Sequence, residues 1–162
     1  MHFRRLFLTV LLIFAGFPLF AATVSVLVIE TGLPAESGTS QYSGLWESAL
    51  LDVFFDAGHI VSNAPLMRLE YFPDEVFPDE AQKDLNEAIE GSMDYMVIAL
   101  LEYKVKDSGN IQKPGNVRLR VFRTQNAQLV YEMSYTDTKV KPLKEEFDSL
   151  KTAARKLLPR IK

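Results

Sequence analysis

TVSVLVIE, residues 23–30, and MVIALL, residues 96–101, are apolar on both sides of the chain. In the first, Val24, Val26 and Val28 fall on one face of an extended strand and Leu27 and Ile29 on the other. A strand that is apolar on both faces is buried on both. It therefore lies in the middle of a sheet that helices cover on each side. Two such strands predict a three-layer α/β/α domain.

The segments around them agree. Thr31–Gly44 is rich in Gly, Ser and Thr and reads as a loop. Leu45–Ala57 repeats Leu45, Trp46, Ala49, Leu50, Val53, Phe54 and Ala57 at helical spacing, with Ser43 as its expected N-cap and Gly58 as its left-handed end. His59–Ser62 reads as a short strand and Leu66–Phe77 as irregular chain. A second helix follows, capped by Asp79, carrying Ala81, Leu85, Ala88 and Ile89, and ended by Gly91. Val117–Phe122 and Gln128–Tyr135 read as a half-exposed hairpin, with Leu129, Tyr131, Met133 and Tyr135 on one face. Pro142–Leu158 is amphipathic through Leu143, Phe147, Leu150, Ala154, Leu157 and Leu158, and Pro159 stops it. The predicted order is β-α-β-α-β-β-β-α, with a mixed sheet of about five strands, a right-handed first crossover and an antiparallel meander at the end.

The first 22 residues are set apart from this domain. Arg4 and Arg5 precede LFLTVLLIFAGFPLF, residues 6–20, and Ala21–Ala22 offer small residues for cleavage. This is the pattern of a signal peptide, too short to be a typical membrane span. Residues 23–162 form a single domain, and the expected location is periplasmic. With Arg4 and Arg5 gone, 16 basic residues face 21 acidic ones, a net charge of −5. An acidic chain of this kind is not expected to bind nucleic acid. The absence of cysteine removes disulfides, thiol nucleophiles, thiolate ligands and lipid attachment at a cysteine.

LWESALLDVFFDAGHIVSN (45–63), EGSMDYMVIALLEY (90–103) and VRLRVFRTQNAQLVYEMSY (117–135) resemble a family of bacterial envelope domains. It includes the N-terminal domain of TolB, the periplasmic domain of the curli secretion lipoprotein and the lipoprotein activator of penicillin-binding proteins. The shared features are a helix running into "aGhiVs", a Gly-x-x-Asp-Tyr turn feeding an apolar strand, a hairpin and a C-terminal helix. The resemblance implies a non-enzymatic module that binds other envelope proteins. It departs from the family in having no lipid-attachment cysteine and no long hairpin insertions, so membrane contact is expected only through a partner or an uncleaved leader.

The candidate chemistry is sparse. His2 belongs to the leader, which leaves His59 as one histidine without a companion. No cofactor, metal or catalytic set is expected. The loop at 31–44 stands where a phosphate-cradling loop would stand, but it lacks the Walker spacing and lysine; it is either a plain solvent loop or a site for an anion, glycan or lipid. The tandem repeat FPDE-V-FPDE, residues 72–80, is open to three readings. Phe72 and Phe77 tuck into the core, or they dock a partner from a proline-stiffened segment, or the acids gather a cation. Arg118 and Arg120 are expected on the outward side of the hairpin, in cross-strand ion pairs or against a partner. Phe72, Phe77, Arg118 and Arg120 are the candidate contact residues for a protein partner.

Overall fold

The computed structural model describes residues 21–34, 37–71, 73, 76–104, 113–137, 139 and 141–162. The segment expected to be a leader, except for Ala21 and Ala22, lies outside these residues, and so does Phe72. The elements are β1 (Thr23–Thr31), α1 (Gln41–Asp56), β2 (Ile60–Asn63), β3 (Met67–Leu69), α2 (Gln82–Glu90), β4 (Tyr95–Glu102), β5 (Asn116–Arg123), β6 (Gln128–Tyr135) and α3 (Leu143–Ala154). This is the expected order with one short strand, β3, added inside the segment read as irregular.

The six strands form one mixed sheet in the order β2-β1-β4-β5-β6, and β3 also pairs with β1. β1 runs parallel to β2, β3 and β4. β4, β5 and β6 make the antiparallel meander. The alternation read in β1 is the alternation found. Val24, Val26 and Val28 join Trp46, Leu50, Phe54, Leu150 and Leu157 beneath α1 and α3. Leu27 and Ile29 join Leu85 of α2, Ile98, Leu100 and Phe122 on the other face. A core on each face makes the domain an α/β/α sandwich.

Several boundaries move, each for a local reason. Helix α1 starts earlier than expected, because Ser40 is its N-cap: the Ser40 hydroxyl accepts from the Tyr42 amide at 3.3 Å. Ser43 lies inside the helix, buried, with its hydroxyl 2.8 Å from that of Tyr103. Asp79 does not cap α2; it opens a 3-10 turn, Asp79–Ala81, with no side-chain bond at its start. Gly91 ends α2 at φ −74°, and Ser92 takes the left-handed conformation at φ 56°. Helix α3 stops at Ala154 and continues as a 3-10 segment, Arg155–Arg160, that includes Pro159. In that helix Glu146 is buried while Leu143 is exposed. In the hairpin the register shifts at Val121/Phe122, so that Tyr131 faces Val121 but Leu129 faces Phe122. This bulge puts Leu129 on the face opposite Tyr131, Met133 and Tyr135.

The Asp94 carboxylate explains the Gly-x-x-Asp-Tyr turn. It accepts from the amide and the hydroxyl of Thr23, both at 2.8 Å, and so fixes the start of β1 beside β4. Among the described residues no helix is long and apolar enough to cross a membrane.

Candidate functional site

Open α/β sheets hold ligands beyond the carboxyl ends of their parallel strands, where connections leave to either side. Here that position lies past Thr31 of β1 and Glu102 of β4, at the N-terminus of α1. A buried carboxylate occupies it. Glu30 accepts from the Ser40 amide at 3.0 Å and pairs with Arg68 of β3 at 2.6 Å. Arg68 also donates to the carbonyls of Pro34, Ser37 and Gly38. One ion pair thus ties Pro34, Ser37, Gly38 and Ser40 of this loop to the sheet. Gly32 sits at φ 76° with its α-carbon against the carbonyl of Tyr103, where a β-carbon would collide. Burial pushes the Tyr103 phenol up to about 12, although Ser40 and Ser43 hydrogen-bond to it. A shallow pocket of about 240 Å³ opens beside this network, at Thr39–Tyr42.

A second polar cluster flanks the same end of α1. Lys113 donates to Glu146 at 2.6 Å and lies 3.4 Å from Asp137. Lys141 donates to Asp137 at 2.6 Å and to the Ser149 hydroxyl at 2.9 Å. The Lys141 ammonium holds the Asp137 carboxyl well below the usual carboxylate range. Tyr135 donates to Asp137 at 3.2 Å and meets Trp46 edge to face. Burial, followed by the Asp137 charge, pushes its phenol up to about 12. These groups join the 139–142 segment and the start of α3 to the sheet. Two lysines balance two carboxylates, and the cluster spends its charge on itself.

Of the residues singled out from the sequence, Phe77, Arg118 and Arg120 share one face of the sheet. Phe77 is half-buried and meets Phe122 edge to face, with 5.0 Å between ring centroids. Arg120 corrects the outward placement expected for it: it is 2% exposed. Its guanidinium pairs with Glu132 and donates to the Val76 carbonyl at 2.8 Å, because the 76–78 segment folds over this face of the sheet. Arg118 is half-buried on the same face. Phe72, Asp74 and Glu75 lie outside the described residues. His59 accepts from the Ala22 amide at 3.2 Å and packs against Phe54, which makes it a tie for the start of β1. Among the described residues no three His, Asp or Glu side chains stand where they could hold a metal ion.

Sequence reasoning missed Glu30 and Arg68, which are 38 positions apart. The available signal was an acid closing a strand that is apolar on both faces, since such a charge must find a partner. It also missed two strongly exposed apolar side chains. Phe55 on the outer side of α1 is 69% exposed and Ile60 at the start of β2 is 60% exposed. Phe55 joins Leu51, Val61 and Phe147 around a shallow apolar depression of about 530 Å³.

A family model described as Uncharacterised protein matches residues 33–152, and the chain belongs to that family. No curated protein matches the sequence. Among solved structures the chain is similar to the PelC dodecamer of Paraburkholderia phytofirmans: 15% identity over 88% of this chain and 90% of that one, with a TM-score of 0.50. That likeness shows the fold. The lipoprotein GNA1162 of Neisseria meningitidis matches at 13% identity over 85% of this chain and 96% of that chain, with a TM-score of 0.46. TolB of Acinetobacter baumannii, the type of protein the sequence resembles, matches at 10% identity and a TM-score of 0.39; the match covers 86% of this chain and 28% of TolB.

Proposed function

We propose that the chain is a non-enzymatic protein-interaction module of the bacterial envelope, exported to the periplasm. The observation that carries this reading is the use of the carboxyl end of the sheet. Where an α/β domain would ordinarily gather reactive groups, Glu30, Arg68, Ser40 and Tyr103 are spent on fastening a loop. Those polar groups are bound, and the most exposed large apolar side chain among the described residues, Phe55, lies elsewhere. The resemblance of residues 45–63, 90–103 and 117–135 to bacterial envelope domains supports the envelope setting. Arg118 and Phe72 remain contact residues in this proposal. Phe77 and Arg120 would reach a partner only if the 76–80 segment lifted from Phe122 and Arg120.

A photoreactive residue at position 55, activated in intact cells, tests the reading. The expected result is a discrete set of adducts with envelope proteins or with this chain, lost when the crosslinker is moved to the exposed face of α2. Uniform labelling at both positions would refute it. A second reading, a small anion, glycan or lipid taken by the 31–44 loop, draws on the pocket at Thr39–Tyr42. A thermal-shift screen with nucleotides, glycans and lipids separates the two, since a ligand bound only by the folded state raises its melting temperature.

A further inference from the structure

Ala22 precedes β1 but belongs to the folded domain. Ala21 is exposed, whereas Ala22 is 4% exposed and joins Val24 and Phe54 in the core beneath α1 and α3. Both polar groups of its backbone are held. The Ala22 carbonyl accepts from the Ile60 amide at 3.0 Å, and the Ala22 amide donates to His59 Nδ1 at 3.2 Å. That acceptor is itself positioned. Gly58, at φ 86°, turns the chain out of α1. The His59 amide then donates to the Phe54 carbonyl at 3.0 Å, and the His59 ring meets Phe54 edge to face. The histidine is thereby aimed at the residue where the leader was expected to end.

A cut after Ala22 would remove these ties. The Ile60 amide and His59 Nδ1 would lose their partners, and the core would lose a buried methyl group. In return, the new ammonium of Thr23 would stand beside Asp94, whose carboxylate already accepts from the Thr23 amide at 2.8 Å. That pair is exposed, so solvent screens it and the gain is small. A cut after Ala21 keeps every one of these bonds. A cleft of about 210 Å³ opens at Ala21 and Ala22 with Asp94 on its wall, so the ammonium left on Ala22 has water and a carboxylate beside it.

The residues before the bond point the same way. Leader removal selects small side chains one and three positions before the cut. Both cuts place alanine in the nearer position. The farther position holds Leu19 for the Ala21–Ala22 bond and the larger Phe20 for the Ala22–Thr23 bond.

We infer that the chain is processed between Ala21 and Ala22, so that the mature protein begins with Ala22 and its ammonium donates to His59. The step is a hydrolysis: water adds across the peptide bond and leaves a carboxylate on Ala21 and an ammonium on Ala22. The inference rests on the reading of the first residues as a leader, and it moves the end of that leader back by one residue.

Intact-mass spectrometry of the protein, produced from the full precursor in an exporting bacterium and purified from the envelope fraction, provides the test. The expected mass is that of residues 22–162. A chain that starts at Thr23 overturns the inference and leaves the leader reading standing; a chain that starts at Met1 overturns both. Ala21→Tyr puts a large side chain next to the bond and should leave most of the chain uncut, whereas Ala21→Ser should be cut as the wild type is. For the Ala22–Thr23 bond, position 21 is the middle one of three, where size is not selected. An Ala21→Tyr chain cut as fast as the wild type therefore overturns the inference. Amide exchange on the mature protein supplies a readout independent of mass. The Ile60 amide, held by the Ala22 carbonyl, should exchange about tenfold or more slowly than an unstructured amide. An Ile60 amide that exchanges freely overturns the inference as well.

Discussion

Gly32 is held at φ 76° against the Tyr103 carbonyl, so its lack of a side chain is a steric necessity. Gly32→Ala should destabilise the domain by about 2 kcal/mol or more, read as a lower urea midpoint with an unchanged slope. The opposite holds at Ser92, a non-glycine residue at φ 56°. Ser92→Gly should raise stability by about 0.5 kcal/mol, because glycine enters the left-handed region without the β-carbon clash. Arg120 is the third decisive residue. Its guanidinium is buried between Glu132 and the Val76 carbonyl, and Arg120→Ala should cost about 3 kcal/mol by the same assay. Its sequence position suggested an exposed hairpin residue, because strand alternation specifies a face and not what covers that face. The cover is a proline-marked stretch without periodicity, and no local pattern announces where such a stretch will lie.

Strands β1 and β4 were legible because both their faces are apolar, and a one-residue error would have bridged no ambiguity there: either face enters a core. Helix α1 was legible in its middle and not at its start. Ser43 is a plausible cap by residue type, as Ser40 is, and the choice depends on Glu30 receiving the Ser40 amide and on the Ser43 hydroxyl meeting that of Tyr103, contacts that span 10 and 60 positions. Ser40→Ala should cost about 1 kcal/mol and speed amide exchange in the first turn of α1, whereas Ser43→Ala should leave that exchange unchanged. β3 escaped notice because three residues carry too little alternation to register. The β6 bulge escaped because one extra residue reverses which face each side chain takes without altering composition.

The two polar clusters give the whole domain a pH window. In the folded chain Asp137 loses its proton below the usual carboxylate range, so the folded state binds fewer protons than the unfolded one in acid. Its stabilisation is complete above about pH 4 and is lost as pH falls further. Tyr103, pushed up to about 12, behaves the other way: its stabilisation is complete below about pH 10 and is lost as pH rises towards 12. Thermal unfolding across pH should show both shoulders, with Asp137→Asn flattening the acid one and Tyr103→Phe reducing the alkaline one, to which Tyr135 also contributes. None of this was visible in the sequence, since each cluster gathers groups from separate segments. The chain order of the sheet has a kinetic corollary as well. The central strand is synthesised first, yet Thr23 waits 71 positions for the Asp94 that anchors it. Pairing of β1 with β2 and β3 is open to the nascent polypeptide early, but the start of β1 stays unanchored until β4 brings Asp94, and only then can the meander add its neighbouring strands to the sheet.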